Sequence, residues 1–138
     1  MEAKIKISTK QYNENNNTDT MQVSAIGKIF EKKNDIYVVY EEIEDGQKIT
    51  NTIKISDKEV SIKKFGNVNS LMVFKEGYKH ETKYRTNQGL FIIETETNKL
   101  TIDKNENNYI KLNIEYNINI LDLFKGRNEI NILIEYNI

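Results

Sequence analysis

The stretches YIKLNIEYNINI, residues 109–120, and EINILIEYNI, residues 129–138, decide the fold. In the first, Ile110, Leu112, Ile114, Tyr116, Ile118 and Ile120 occupy every second position, and in the second Ile130, Ile132, Ile134, Tyr136 and Ile138 do the same. Successive side chains of a strand point to opposite faces, so each stretch has one apolar face and one mainly polar face, of Asn, Glu and Lys111 with Tyr109 and Leu133 among them. A helix would scatter those isoleucines around its circumference. The two stretches therefore read as long half-buried strands. Leu121-Asp122-Leu123-Phe124 between them is expected to form a short turn that plugs one end of the fold.

The same period recurs outward from this hairpin. Ala3, Ile5 and Ile7 share a face opposite Lys4, Lys6, Ser8 and Lys10. After Asn13 to Thr20, which reads as a mobile loop, Met21, Val23 and Ala25 alternate until Ile26-Gly27 breaks the phase. A bulge there would return Ile29 or Phe30 to the core. Ile36 to Ile43 and the face of Ile49, Ile53 and Ile55 flank Asp45-Gly46, a pair that favours the positive φ angles of a tight hairpin. Further turns are predicted at Ser56-Asp57, Gly66-Asn67, Glu76-Gly77, Asn87 to Gly89, Asn98-Lys99, Asn105 to Asn108 and Gly126 to Asn128.

No segment has a helical period, and strands recur at about 8–12-residue spacing. An open meander of this length would expose two long apolar edges, whereas pairing the first strand with the last removes both. The chain is thus predicted to be all-β, a closed antiparallel meander β-barrel of about eight to ten strands, with residues 1–138 as a single domain. The breaks near Gly27 and Gly66 are the places where strands of a sandwich would instead switch sheets.

Composition narrows the function. Lys and Arg number 20 against 21 Asp and Glu, the net charge is −1 and the pI about 5.9, so no basic footprint for nucleic acid is present. With no Cys and a single His, His80, disulfides are excluded and a zinc site lacks ligands; no metal or cofactor is expected. Met1 leads directly into an alternating strand, without the apolar run of a leader or a membrane span, and a cytoplasmic location is expected. Ile, Lys and Asn are abundant while Pro and Trp are absent, the bias of an AT-rich coding sequence. Single Asn or Lys residues, and the triplet Asn16-Asn17-Thr18, accordingly carry little weight.

Candidate binding residues come from phase. Val60, Ile62 and Lys64 share a face, so the Lys64 ammonium points inward or lies at the barrel mouth, where it receives an anionic head group or snorkels to water. Lys79, Glu81, Lys83 and Arg85 form one charged face, leaving His80, Thr82, Tyr84 and Thr86 inside. Such a polar inner face suits either a hydrogen-bonded core or a lined cavity. Tyr40, Tyr84, Tyr116 and Tyr136 add inward rings with hydroxyls. No nucleophile motif, acid/base pair or phosphate loop stands out, so catalysis is not expected.

The chain resembles the YwiB family of small, uncharacterised bacterial proteins with a calycin-like, that is lipocalin-like, barrel. The likeness is carried by Tyr40-Glu41-Glu42, by Val60 to Gly66, by Met72-Val73-Phe74, by Tyr84 to Gly89 with Thr95 or Thr97 downstream, and by the hairpin bearing Tyr116. Where that family usually has Arg two residues before the glycine, this chain has Lys64, which keeps the charge and loses bidentate geometry. The resemblance implies a fold and no established activity. Two functions follow as expectations. One is a barrel binding a small amphipathic or anionic molecule through Lys64, His80, Tyr84, Thr86, Tyr40 and Tyr116. The other is a filled barrel acting as an interaction or accessory module through Asn13 to Thr20 or Leu121 to Phe124.

Overall fold

Each alternating run forms a strand in the computed structural model, which describes residues 1–15, 18–66, 69–86, 88–105, 108–121 and 123–136, the side chain of Thr86 excepted. The strands are β1 (Glu2–Asn13), β2 (Thr18–Lys32), β3 (Asp35–Glu44), β4 (Gln47–Ile55), β5 (Val60–Phe65), β6 (Ser70–Phe74), β7 (Lys79–Thr86), β8 (Gly89–Asn105), β9 (Tyr109–Ile120) and β10 (Phe124–Tyr136). They form one antiparallel sheet in the order β6-β5-β4-β3-β2-β1-β10-β9-β8-β7. The first strand pairs with the last from Ala3↔Tyr136 to Asn13↔Gly126, which removes both terminal edges. The predicted all-β meander barrel is the observed architecture. No helix among the described residues is long and apolar enough to cross a membrane.

Closure is completed between β6 and β7, in part by side chains. One bridge joins Asn69 and Arg85, each backbone N–H donating to the other's carbonyl at 3.4 Å. Beyond it, Leu71 N–H donates to Thr82 Oγ1 at 3.4 Å, and His80 Nε2 lies 3.1 Å from the Leu71 carbonyl oxygen. Two β7 side chains thus replace ladder bonds that the short β6 does not form with β7.

Connections β1–β2, β3–β4, β5–β6, β7–β8 and β9–β10 lie at one end of the barrel, here the upper end. Below, the interior is apolar: Ile5, Ile53, Ile55, Phe74, Ile114 and Ile134 are at most 1% exposed. Each fully buried aliphatic side chain stabilises by about 1.5–3 kcal/mol.

Several local expectations are corrected. No bulge forms at Gly27, because the β1–β2 register runs unbroken through Ala3↔Gly27. Gly27 is instead a close approach, where a Cβ would collide with the Val39 carbonyl oxygen. Ile29 is buried in phase with it, and Phe30 points out and stacks on Tyr37 at 5.3 Å. Asn98-Lys99 is a bulge inside β8 rather than a turn, with the register shifting between Thr97 and Lys99. Gly126-Arg127-Asn128 lies inside β10, and a Cβ on Gly126 would collide with the Tyr12 carbonyl oxygen.

The loop Asn13 to Thr20 is shorter than predicted, since β2 begins at Thr18; residues 16 and 17, the first two of the Asn16-Asn17-Thr18 triplet, lie outside the described residues. Leu121 and Leu123 stand exposed and do not plug the barrel, Phe124 being half-buried. Asn67, Asn87, Asp122 and Ile138 lie outside the described residues.

Candidate ligand-binding interior

Toward the upper end the inward positions turn polar. Register aligns Tyr40, Asn51, Lys64 and Ser70 side by side across β3, β4, β5 and β6, with Glu42 one inward position above Tyr40. The Glu42 carboxylate gathers this group: its Oε1 lies 3.2 Å from Lys64 Nζ and accepts a bond from Asn51 Nδ2 at 2.9 Å. Asn51 is wholly buried, and its Oδ1 has no partner. Burial pushes the Tyr40 phenol well above its ordinary range, and the Glu42 charge adds to the shift. Tyr84, reaching in from β7, is raised by burial; Lys64 opposes that shift, while Glu44 and Glu42 reinforce it.

A second polar rung crosses β8, β9 and β10, where Thr97 faces Tyr116 and Tyr116 faces Asn128. Asn128 Nδ2 donates to the Tyr116 hydroxyl at 2.9 Å, and both side chains are buried. The Tyr116 phenol is raised by burial, which outweighs the lowering by the Asn128 bond. Thr97 Oγ1 and Asn128 Oδ1, both buried, have no partner. The Tyr116 ring packs on Phe74 of β6 at 4.9 Å.

The family described as a domain of unknown function, DUF1934, matches residues 5–132. The chain belongs to the DUF1934 family. Among solved structures it is similar to the ywiB protein of Bacillus subtilis, with a TM-score of 0.87 and 20% identity over 99% of this chain and 92% of that one. At that identity the likeness is one of fold, and it agrees with the closed antiparallel barrel predicted from the alternating strands. No curated protein matches.

In this DUF1934 barrel the residues nominated from phase do not form one cluster. Lys64 pairs with Glu42, and the charge of that carboxylate is felt at Tyr40 and, behind those of Lys64 and Glu44, at Tyr84. Tyr116 belongs to the second rung, and His80 to the β6–β7 seam. The side chain of Thr86 lies outside the described residues. The Lys64 ammonium pairs with Glu42 while staying partly exposed to water.

Glu42, which the sequence marks only through the family likeness, and Asn51 and Asn128, which it does not mark, are absent from the predicted binding residues although their phase is readable. Glu42 follows inward Tyr40 by two, Asn51 stands between Ile49 and Ile53, and Asn128 precedes Ile130. Two described grooves, of about 580 and 680 Å³, lie on the outer face over Ser8, Asn131 and Asn113 and over Glu81, Glu94 and Asn119. They contain none of Tyr40, Lys64, Tyr84 or Tyr116.

Proposed function

We propose that this protein is a small-molecule-binding barrel whose amphipathic guest places its polar end in the upper interior and its apolar part toward the isoleucine-rich base. The observation that carries this is Asn51. Its amide nitrogen is committed to the Glu42 carboxylate, which fixes the orientation of the amide and leaves Oδ1 buried without a donor. A buried polar group left unsatisfied costs about 1–3 kcal/mol, so an occupant that donates to it gains that much before other contacts are counted.

The Glu42–Lys64 pair bears on the charge of the guest. An anionic head would have to draw Lys64 away from Glu42, and Glu44 acts on the same tyrosine as that pair. The amphipathic form of the expectation is therefore favoured over the anionic one. Native mass spectrometry of protein purified from its own host is the test: a bound small molecule lost on denaturation is expected. A bare polypeptide mass under conditions that preserve the fold would refute the proposal.

Exposed Leu121 and Leu123 on the β9–β10 turn favour a second reading, an interaction module docking through that turn. Leu121→Ser with Leu123→Ser would then abolish partner capture from host lysate and leave the barrel folded. Capture unchanged by the pair would exclude it.

A further inference from the structure

The rung Thr97–Tyr116–Asn128 carries chemistry beyond the Asn51 cluster. Thr97 is held by its backbone, which accepts from Gly77 N–H at 2.9 Å and donates to the Tyr78 carbonyl at 3.1 Å, so its hydroxyl is turned inward with no partner. Across from it the Tyr116 hydroxyl accepts from Asn128 Nδ2 and keeps its own proton to donate. Asn128 Oδ1 is a bare acceptor. Turning that amide over would make Tyr116 the donor and leave Nδ2 free instead. In either arrangement the rung offers a donor together with an acceptor.

The neighbouring inward positions are uncharged: aliphatic below, and above Tyr116 an isoleucine beside buried Thr95, whose hydroxyl donates to the His80 carbonyl oxygen at 3.4 Å. Leu100, Ile114 and Ile130 lie on the rung below, and Ile118 lies above Tyr116. No charged side chain is registered with the rung on its inward face across β8, β9 and β10. With Asn128 Oδ1 bare, a carboxylate would meet its lone pairs and an ammonium would offer no acceptor to the Tyr116 proton; in either arrangement of the amide a charge would be desolvated without a counter-ion. A neutral hydroxyl both donates and accepts. Resting on the guest-binding proposal above, we infer that this rung selects a neutral, hydroxyl-bearing amphiphile, an alcohol or the glycerol end of a monoacylglycerol, over fatty acids and alkylamines.

The probes are 1-monododecanoylglycerol, dodecanoic acid and dodecylamine, each titrated below its micelle concentration into the full chain and followed by calorimetry. The glycerol ester is expected to bind at least about tenfold more tightly than either charged probe, the effect of about one well-placed hydrogen bond in a buried site. Thr97→Val, which keeps the shape and removes the hydroxyl, is expected to erase most of that preference while the protein stays folded. Asn128→Leu supplies an independent second variant with the same expected loss.

Acid or amine binding as tightly as the ester overturns the inference, as does an ester affinity unchanged in Thr97→Val. If no probe binds, a buried water satisfies the rung and the inference fails. The proposed function is judged separately: a co-purifying guest without a hydroxyl overturns the selectivity alone, whereas neither guest nor probe binding overturns both.

Discussion

Lys64 shows how far one side chain depends on its surroundings. With side chains 34% and 24% exposed, Lys64 and Glu42 form a pair that water still screens, so its worth lies nearer that of a surface pair than of a buried one. Lys64→Met is therefore expected to cost about 1 kcal/mol in urea denaturation. A change below about 0.3 kcal/mol would mean that the ammonium is solvated and the pair idle. The tyrosines give a pH signature. Tyr40, Tyr84 and Tyr116 all hold their protons more tightly in the fold, chiefly because burial disfavours the phenolate. A raised folded pKa contributes stability that is fully present below the unfolded value of about 10 and is lost as pH rises toward the folded values. The denaturation midpoint should hold steady below pH about 10 and fall above it, and Tyr116→Phe should make that fall shallower. A midpoint independent of pH in the alkaline range would contradict the burial of these phenols.

At the scale of elements, β2 shows what alternation tells and what it hides. Its inward set runs through Ala25, Gly27 and Ile29 without a break, yet the glycine looks like a defect until β3 is laid beside it and the Val39 carbonyl is found in the way of any side chain. Gly27→Ala should cost about 2 kcal/mol or more by forcing β2 and β3 apart, measured by thermal or chemical denaturation; a loss below about 0.5 kcal/mol would refute the close approach. The long strands were readable because strict alternation is set by local chain geometry. The bulge in β8 and the glycine in β10 were mistaken for turns, because Asn and Gly mark turns and tight inter-strand contacts alike. The two-residue turn at Lys33-Asn34, with φ of 53° and 69°, lacks a glycine and gave little signal. The candidate site was half legible for a related reason. Phase marks which residues face inward, but Glu42 meeting Lys64 depends on the register of β3, β4 and β5, which no single strand records.

The whole molecule is a barrel with one weak seam and an interior divided by polarity. Nine strand pairings carry backbone ladders, while β6 and β7 are joined by one bridge and by His80 and Thr82. Opening should begin there, so amide exchange is expected to be faster at Leu71 than in β1, β9 or β10. His80→Ala with Thr82→Val should speed it further and cost about 1–2 kcal/mol. Uniform protection around the barrel would show that the seam is not the weak point. Inside, the apolar base is closed by isoleucines, and the upper half keeps Asn51 Oδ1, Thr97 Oγ1 and Asn128 Oδ1 buried and unpartnered. A structure holding that many unsatisfied groups for no purpose would be penalised at each of them. The most direct measurement is a high-resolution crystal structure of protein purified from its own host without delipidation. A guest-binding interior requires continuous density of an amphiphile, with one of its polar groups within hydrogen-bonding distance of Asn51 Oδ1. An upper interior filled by the protein's own side chains, with Asn51 Oδ1 bonded to one of them, would contradict it.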